Sequence, residues 1–314
     1  MGERNPIQQV QFAPHARNRR ARAAPLVLIH DGGGTTFAYF MLETLRRNVW
    51  AIHSPHYSTG KAWDGGMDEM AQHYIGLIKR AGIAGSIILG GWSLGGYVAL
   101  VIARVLAADP SSTIKVTGLL LIDSPYLLPG YKLPPGVPPP DLVGIPDLVL
   151  TSLANCEAML ETWELPTWDG ATFEGRHVRF TARGRSFNVA PGNVLYKPLE
   201  GDWKTVAVKD QQVQQDNRCH QGSSGPVQLP LAVMLRSIER APVKGDDAGK
   251  PCRVDMFRDE PLLGWDTRYP FFIKAVIEAK SHHYDMFNGN NIKQLTAQIN
   301  EALEILGTLE AVGT

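Results

Sequence analysis

The segment Gly90-Gly91-Trp92-Ser93-Leu94-Gly95-Gly96 constrains the fold more than any other part of the chain. It follows the apolar run Ser86-Ile87-Ile88-Leu89, which reads as a buried strand, and opens a stretch of small and aliphatic residues over 94–107 that reads as a helix. A serine between glycines at such a strand-to-helix corner is a nucleophile elbow. The turn is strained, and the glycines admit neighbouring backbone where a Cβ would collide. Ser93 is therefore expected to stand with its Oγ exposed at the carboxyl edge of a parallel sheet.

Short apolar runs alternate with amphipathic stretches from residue 25 onward. Strands are expected over 26–30, 49–53, 87–90 and 118–122, with helices over 37–46, 67–80 and 94–107. That rhythm belongs to a mainly parallel sheet covered by helices on both faces, an α/β fold. It breaks after residue 126, where Pro134, Pro135, Pro138, Pro139 and Pro140 exclude a helix or central strand. Residues 147–163 restore a helical pattern, with Val149, Leu153, Cys156, Leu160 and Trp163 on one face. The stretch 166–225 is polar and turn-rich, with candidate short strands at 177–180 and 204–208. Strands resume at 229–235 and 272–279, and a helix over 292–306 follows. The expected organisation is a tail over 1–24, a core in two parts over 25–126 and 226–314, and a lid inserted over 127–225.

Charge and cysteine content narrow the function classes. The 31 basic residues balance the 31 acidic ones, which leaves no electrostatic footprint for nucleic acid, and the basic stretch Arg17 to Arg22 reads as part of a solvated tail. No apolar run is long enough to span a bilayer and the start has no apolar leader, so a cytoplasmic protein is expected. Cys156, Cys219 and Cys252 are too far apart for a C-x-x-C zinc site and read as ordinary thiols. His53-Ser54-Pro55-His56 has no acidic neighbour in sequence and is not read as a metal site, so neither metal nor cofactor is expected.

A serine hydroxyl needs a base within hydrogen-bond reach and an acid to orient that base. With the serine first in the chain, the histidine belongs near the C-terminal end, where His282 and His283 follow the strand over 272–279. The pattern leaves both open. For the acid, Asp123 directly ends the strand over 118–122, whereas Glu239 lies several residues past the later strand, with Asp255 and Asp259 beyond it. Asp123 is favoured because a strand end fixes its carboxylate better. An oxyanion hole takes one backbone N–H from the residue after the nucleophile, Leu94, and a second from the loop after the first strand. There the run His30-Asp31-Gly32-Gly33-Gly34-Thr35 offers Gly33, and it lacks the spacing of a phosphate-binding loop.

Five segments together resemble the thioesterase domains that terminate fungal polyketide synthases and related nonribosomal and quinone-forming synthetases, members of the α/β-hydrolase superfamily. They are Leu28-Ile29-His30-Asp31-Gly32-Gly33-Gly34-Thr35, Gly90-Gly91-Trp92-Ser93-Leu94-Gly95-Gly96, Leu120-Leu121-Ile122-Asp123-Ser124-Pro125, Leu262-Leu263-Gly264-Trp265-Asp266 and His282-His283-Tyr284-Asp285-Met286-Phe287. The resemblance implies an α/β-hydrolase fold with a lid and a Ser93, Asp123, His283 triad. Most α/β-hydrolases carry the acid where Glu239 stands; these thioesterases carry it after the strand following the elbow helix, which implies Asp123. The base precedes an aromatic residue, which implies His283 before Tyr284. Ser281 replaces the family's usual glycine and keeps His282 in contention. The implied activity is release of an acyl or aryl chain from the phosphopantetheine arm of an acyl carrier protein, by hydrolysis or cyclisation, with the aromatic residues Trp163, Trp168, Phe173, Phe180 and Phe187 available to a lid around an apolar chain. The rival expectations are a small-molecule carboxylester hydrolase with the same triad and a non-catalytic binding protein on the same fold.

Overall fold

The computed structural model describes residues 5–14, 23–168, 170–173, 175–208, 228–245 and 249–312. His15, the stretch Arg17 to Arg22, Cys219 and His220 lie outside the described residues. Among the described residues, nine strands form the main sheet: β1 (Ile7–Gln11), β2 (Leu26–Ile29), β3 (Val49–Ile52), β4 (Gly85–Trp92), β5 (Ile114–Ile122), β8 (Asn193–Lys197), β9 (Lys204–Ala207), β10 (Ala232–Ser237) and β11 (Ile273–Ala279). Their order is β1-β3-β2-β4-β5-β10-β11-β8-β9, parallel from β3 to β8 and antiparallel only at the two edges. The central strands are near-continuous aliphatic runs because both faces are covered.

On one face lie α2 (Gly66–Arg80) and α3 (Leu94–Ala108); on the other lie α1 (Phe37–Phe40) and α5 (Ile292–Thr308). Helix α2 buries Met67, Met70, Ala71, Tyr74 and Ile78 along one stripe, and it carries Asp68 and Glu69 in its first turn and Lys79 and Arg80 in its last, as its dipole favours. Helix α3 is buried almost all round, from Leu94 through Leu106, between β4, β5 and α2. The helix expected over 37–46 stops after one turn. Beyond it, Glu43 donates its N–H to Thr296 Oγ1 (3.1 Å) and Leu45 to Gln11 Oε1 (2.8 Å), so side chains from α5 and β1 take the donors a longer helix would use.

Two expected boundaries are corrected. Ile7–Gln11 falls in the supposed tail, yet it is a sheet edge strand with Ile7 buried. The segment 127–225 is not one lid. Its first part carries α4 (Asp147–Thr162), which lies over the carboxyl edge of the sheet. The hairpin of β6 (Val178–Ala182) and β7 (Arg185–Val189) packs instead on α5, with Phe180 buried there and Thr181 N–H on Thr308 Oγ1 at 2.8 Å. Strands β8 and β9 extend the core sheet past β11. Apolar positions in these short strands had faces of the core to fill, which a polar, turn-rich sequence concealed.

The tightest backbone approach lies beneath the elbow. A Cβ on Gly91 would sit 2.6 Å from the Ile29 carbonyl oxygen and 2.7 Å from Gly95 Cα, and one on Gly95 would overlap that same oxygen and approach His30 O at 2.9 Å. The obstacle is backbone at the end of β2, which cannot swing aside. Gly95→Ala is therefore expected to cost more than about 3 kcal/mol, whereas Gly307→Ala in α5, with nothing within 4 Å of its Cβ, should be neutral or stabilise by up to ~1 kcal/mol. Urea midpoints of the two variants check this.

Candidate active site

Three side chains from three parts of the chain form one hydrogen-bonded line. Ser93 sits between β4 and α3 at φ 54, ψ −117, outside the regions favoured by side-chain-bearing residues. The corner is held by Ser93 N–H on Ile122 O (2.9 Å), and its carbonyl accepts from Gly96 N–H (3.1 Å) and Ser124 Oγ (2.7 Å). Tyr39 ties the neighbouring strand in, accepting from Trp92 N–H (2.9 Å) and donating to Ile29 O (2.6 Å). His283 lies on the turn after β11; its Nε2 is 2.9 Å from Ser93 Oγ and its Nδ1 2.8 Å from Asp123 Oδ2. An ionised carboxylate only accepts, so Nδ1 carries the ring proton and Nε2 is the free lone pair facing the serine hydroxyl.

Asp123 follows β5 at φ 42 and is fully buried. Ser237 N–H donates to its Oδ1 (2.7 Å), and the Arg258 guanidinium spans both oxygens, Nη1 to Oδ1 at 2.6 Å and Nη2 to Oδ2 at 2.9 Å. Burial alone would raise this carboxyl; the Arg258 charge and the His283 hydrogen bond reverse that and hold it well below the usual carboxylate range. Arg258 also donates from Nε to Asp255 Oδ1 (2.9 Å) and from Nη1 to Ser237 O (2.8 Å). Sequence reasoning missed Arg258, since in Arg258-Asp259-Glu260 it resembles one of a solvated charge run.

In the loop after β2, expected to supply an oxyanion donor, the glycine amides are not all free. Gly33 N–H, the expected donor, is committed to Asp31 Oδ1 at 3.1 Å, and Gly34 N–H to Asp31 O at 3.0 Å. Gly32 lines the cavity that holds Ser93 and His283, and its N–H meets no acceptor among the described residues. Leu94, in the first turn of α3, likewise has no acceptor within its helix. The glycine triplet has a second role, for α4 lies directly on it. A Cβ at Gly32 would sit 3.1 Å from Leu153 and Cys156 atoms, and one at Gly33 2.9 Å from Val149. Burial beneath this cover pushes the Asp31 carboxyl up to about 6, against the opposing pull of His283 and Gly33 N–H.

With that geometry in place, comparison with known proteins is informative. A family described as Thioesterase domain matches residues 24–127. The probable thioesterase lcsE of Purpureocillium lilacinum is 51% identical over 98% of this chain and 98% of its own. The chain belongs to the thioesterase family. The probable thioesterase KK1J of Curvularia clavata is 47% identical over 93% of each chain. Among solved structures, the NocB thioesterase domain of the nocardicin cluster, in covalent complex with a fluorophosphonate nocardicin G analogue, superposes with a TM-score of 0.56 at 18% identity, over 95% of this chain and 99% of that one. The α/β-hydrolase type of fold read from the sequence is therefore that of a thioesterase.

The thioesterase keeps the competing candidates away from Ser93. Glu239 is exposed, with its N–H on Ser281 O at 3.0 Å. His282 turns to Asp285, with its N–H on Oδ1 (2.8 Å) and Nε2 3.4 Å from Oδ2. Ser281, the departure from the family pattern, is buried against Ser237 Oγ at 3.0 Å and leaves His283 aimed at the serine. Asp259 pairs with Arg240 at the surface. Two cavities flank α4. One of about 350 Å³ runs from Gly32 and Leu94 past Trp63, Asn155 and Met159. A smaller one of about 80 Å³ holds Ser93 and His283 with Tyr126, Glu157, Arg253 and Tyr284. The aromatic residues expected in the lid line neither: Trp163 packs against Tyr97, Trp168 meets Tyr269 and Phe272 at tilted and edge-on angles, and Phe173, Phe180 and Phe187 pack with the α5 side of the core. No helix among the described residues is long and apolar enough to cross a membrane.

The raised Asp31 carboxyl fixes a pH signature. A folded acid that holds its proton more tightly than the unfolded chain contributes stability below the ordinary value of 3.8, which is lost as pH rises through about 6. Asp31→Asn removes that loss while keeping an acceptor for Gly33. The variant should match the parent at pH 4 and exceed it at pH 8 by on the order of 1–3 kcal/mol, read from denaturant midpoints across pH. A difference independent of pH would contradict the burial of this carboxylate.

Proposed function

We propose that this thioesterase releases an acyl or aryl chain from the phosphopantetheine arm of an acyl carrier protein through an acyl-Ser93 intermediate. The observation that carries the reading is the unbroken line from Ser93 Oγ through both nitrogens of His283 to a buried, ionised Asp123. Ser93 Oγ attacks the thioester carbonyl while its proton passes to His283 Nε2. Asp123 holds the imidazolium through Nδ1–H and keeps its own charge. Leu94 and Gly32 N–H groups, the latter in place of Gly33, face the developing oxyanion. His283 then returns the proton to the departing pantetheine sulfur. Water, or a nucleophile within the acyl chain, resolves the ester by the reverse sequence.

Proton return places the sulfur on the His283 side, in the smaller cavity, and directs the acyl chain past the oxyanion donors toward the larger one beneath α4. The fluorophosphonate complex of the NocB thioesterase domain supports a serine-centred reading, since such probes react with activated serines.

Kinetic loss should follow the geometry. Ser93→Ala and Asp123→Asn are each expected to reduce turnover of an acyl-pantetheine thioester on the order of 10⁴-fold. Glu239→Gln and His282→Ala should stay within about threefold, because neither side chain touches the line. A larger loss in Glu239→Gln than in Asp123→Asn would move the acid to the later strand. Faster turnover of an oxygen ester than of the thioester with the same acyl group would favour a carboxylester hydrolase instead.

A further inference from the structure

Behind Asp123 lies a charge arrangement that the reaction just described leaves unused. Asp255 ends the short turn Arg253–Asp255 and is 2% exposed. Its Oδ1 accepts from Arg258 Nε (2.9 Å); its Oδ2 accepts from Ala241 N–H (2.7 Å) and from the Cys252 thiol at 3.4 Å. Arg258, also 2% exposed, places its Nη pair on the two oxygens of Asp123 and its remaining Nη1 proton on Ser237 O. Two carboxylates thus share one guanidinium in a site closed to water.

The charges can be counted. Asp123 and Arg258 together carry no net charge, so the guanidinium offsets part of the attraction that Asp123 offers a newly formed imidazolium. Asp255 restores one negative charge to the group. Buried charge interacts strongly because little solvent screens it. Bidentate pairing also fixes the plane of the Asp123 carboxylate, and with it the direction of the Oδ2 lone pair that holds His283 Nδ1–H.

We propose that Arg258 and Asp255 are positioning residues that extend the Ser93, His283, Asp123 line to five side chains, Arg258 fixing the orientation of Asp123 and Asp255 restoring the negative charge that Arg258 cancels. The inference rests on the reading of Ser93 and His283 given above. The proton balance is unchanged by it: the Ser93 proton goes to Nε2 and returns from there, Nδ1 keeps its proton, and neither aspartate gains one. A purely architectural ion group would behave otherwise, since breaking it would lower the amount of folded protein and leave the kinetics of intact molecules as they were.

The charged and titratable groups that face His283 set the controls. Asp123 faces it from the end of β5, Asp31 from the loop after β2, and Tyr284 from its own turn, where His282 and Asp285 pair with each other. Glu157 of α4 and Arg253 line the same cavity with Cys156 and Tyr126, and Arg258 and Asp255 stand behind Asp123.

The test is the pH profile of kcat/KM for an acyl-pantetheine thioester, with turnover expressed per serine titrated by a fluorophosphonate so that unfolded molecules do not count. Asp255→Asn should move the acid limb down by about one pH unit and lower the plateau on the order of tenfold, because the imidazolium forms less readily once the negative charge behind Asp123 and Arg258 is removed. The same displacement should appear in an Asp31→Asn background, since Asp31 faces the ring from another side. Arg258→Lys keeps the charge but loses the fork; it should leave the acid limb in place while the plateau falls on the order of 10- to 100-fold. Wild-type plateau and wild-type acid limb in both Asp255→Asn and Arg258→Lys would overturn the proposal. If Ser93 of the unaltered protein takes up no fluorophosphonate, the reading of the site itself falls, and this inference with it.

Discussion

Everything that organises this site converges on one ionised carboxylate kept away from water. Asp123 stands at the end of β5 in a left-handed backbone conformation and receives hydrogen bonds from β10, from the turn after β11 and from the segment around residue 258. A charge buried without such partners would cost several kcal/mol and would take up a proton instead. Removing any of these elements would therefore disturb both the fold and the base that Asp123 orients. The serine half depends on a second, steric constraint: α3 can begin against the end of β2 only because Gly91 and Gly95 carry no side chain. The two constraints meet at His283.

The same economy shapes the entrance. Helix α4 lies so close to the loop after β2 that side chains on the glycine triplet would collide with it, so the bare backbone of that loop is what lets the cover sit against it. The cavity beneath α4 mixes Trp63 and Met159 with Asn155, Ser54 and Ser152. An enclosure of that character sets hydrogen-bonding groups beside apolar surface.

The line from Ser93 through His283 to Asp123 was legible in the sequence because its pieces are local signals. The elbow needs glycines at fixed places, Asp123 ends an aliphatic run, and His283 follows one; periodicity and turn chemistry are enough to find them. The sequence misled where the deciding contact is distant in the chain. At the glycine loop the deciding contact is local instead: the Asp31 side chain takes up the Gly33 N–H two residues on, a choice that no sequence pattern specifies. The hairpin over 178–189 and the strands β8 and β9 look like lid because their partners, α5 and β11, lie far along the sequence. Arg258 was missed, and Asp255 was read only as a remote acid beyond Glu239, for the same reason: a buried ion group reads as surface charge until the fold brings its members together.

The central claim is that acyl transfer passes through Ser93, and trapping the intermediate tests it most directly. The protein would be mixed with an acyl-pantetheine thioester, quenched in acid within milliseconds to seconds, and its mass measured intact and by peptide mapping. The account predicts a single added acyl group on the peptide containing Ser93, formed and lost at the rate of turnover. An acyl group carried instead by Cys156, which lines the same cavity with its thiol pushed up to about 12, or by another side chain at a rate that matches turnover, would contradict it.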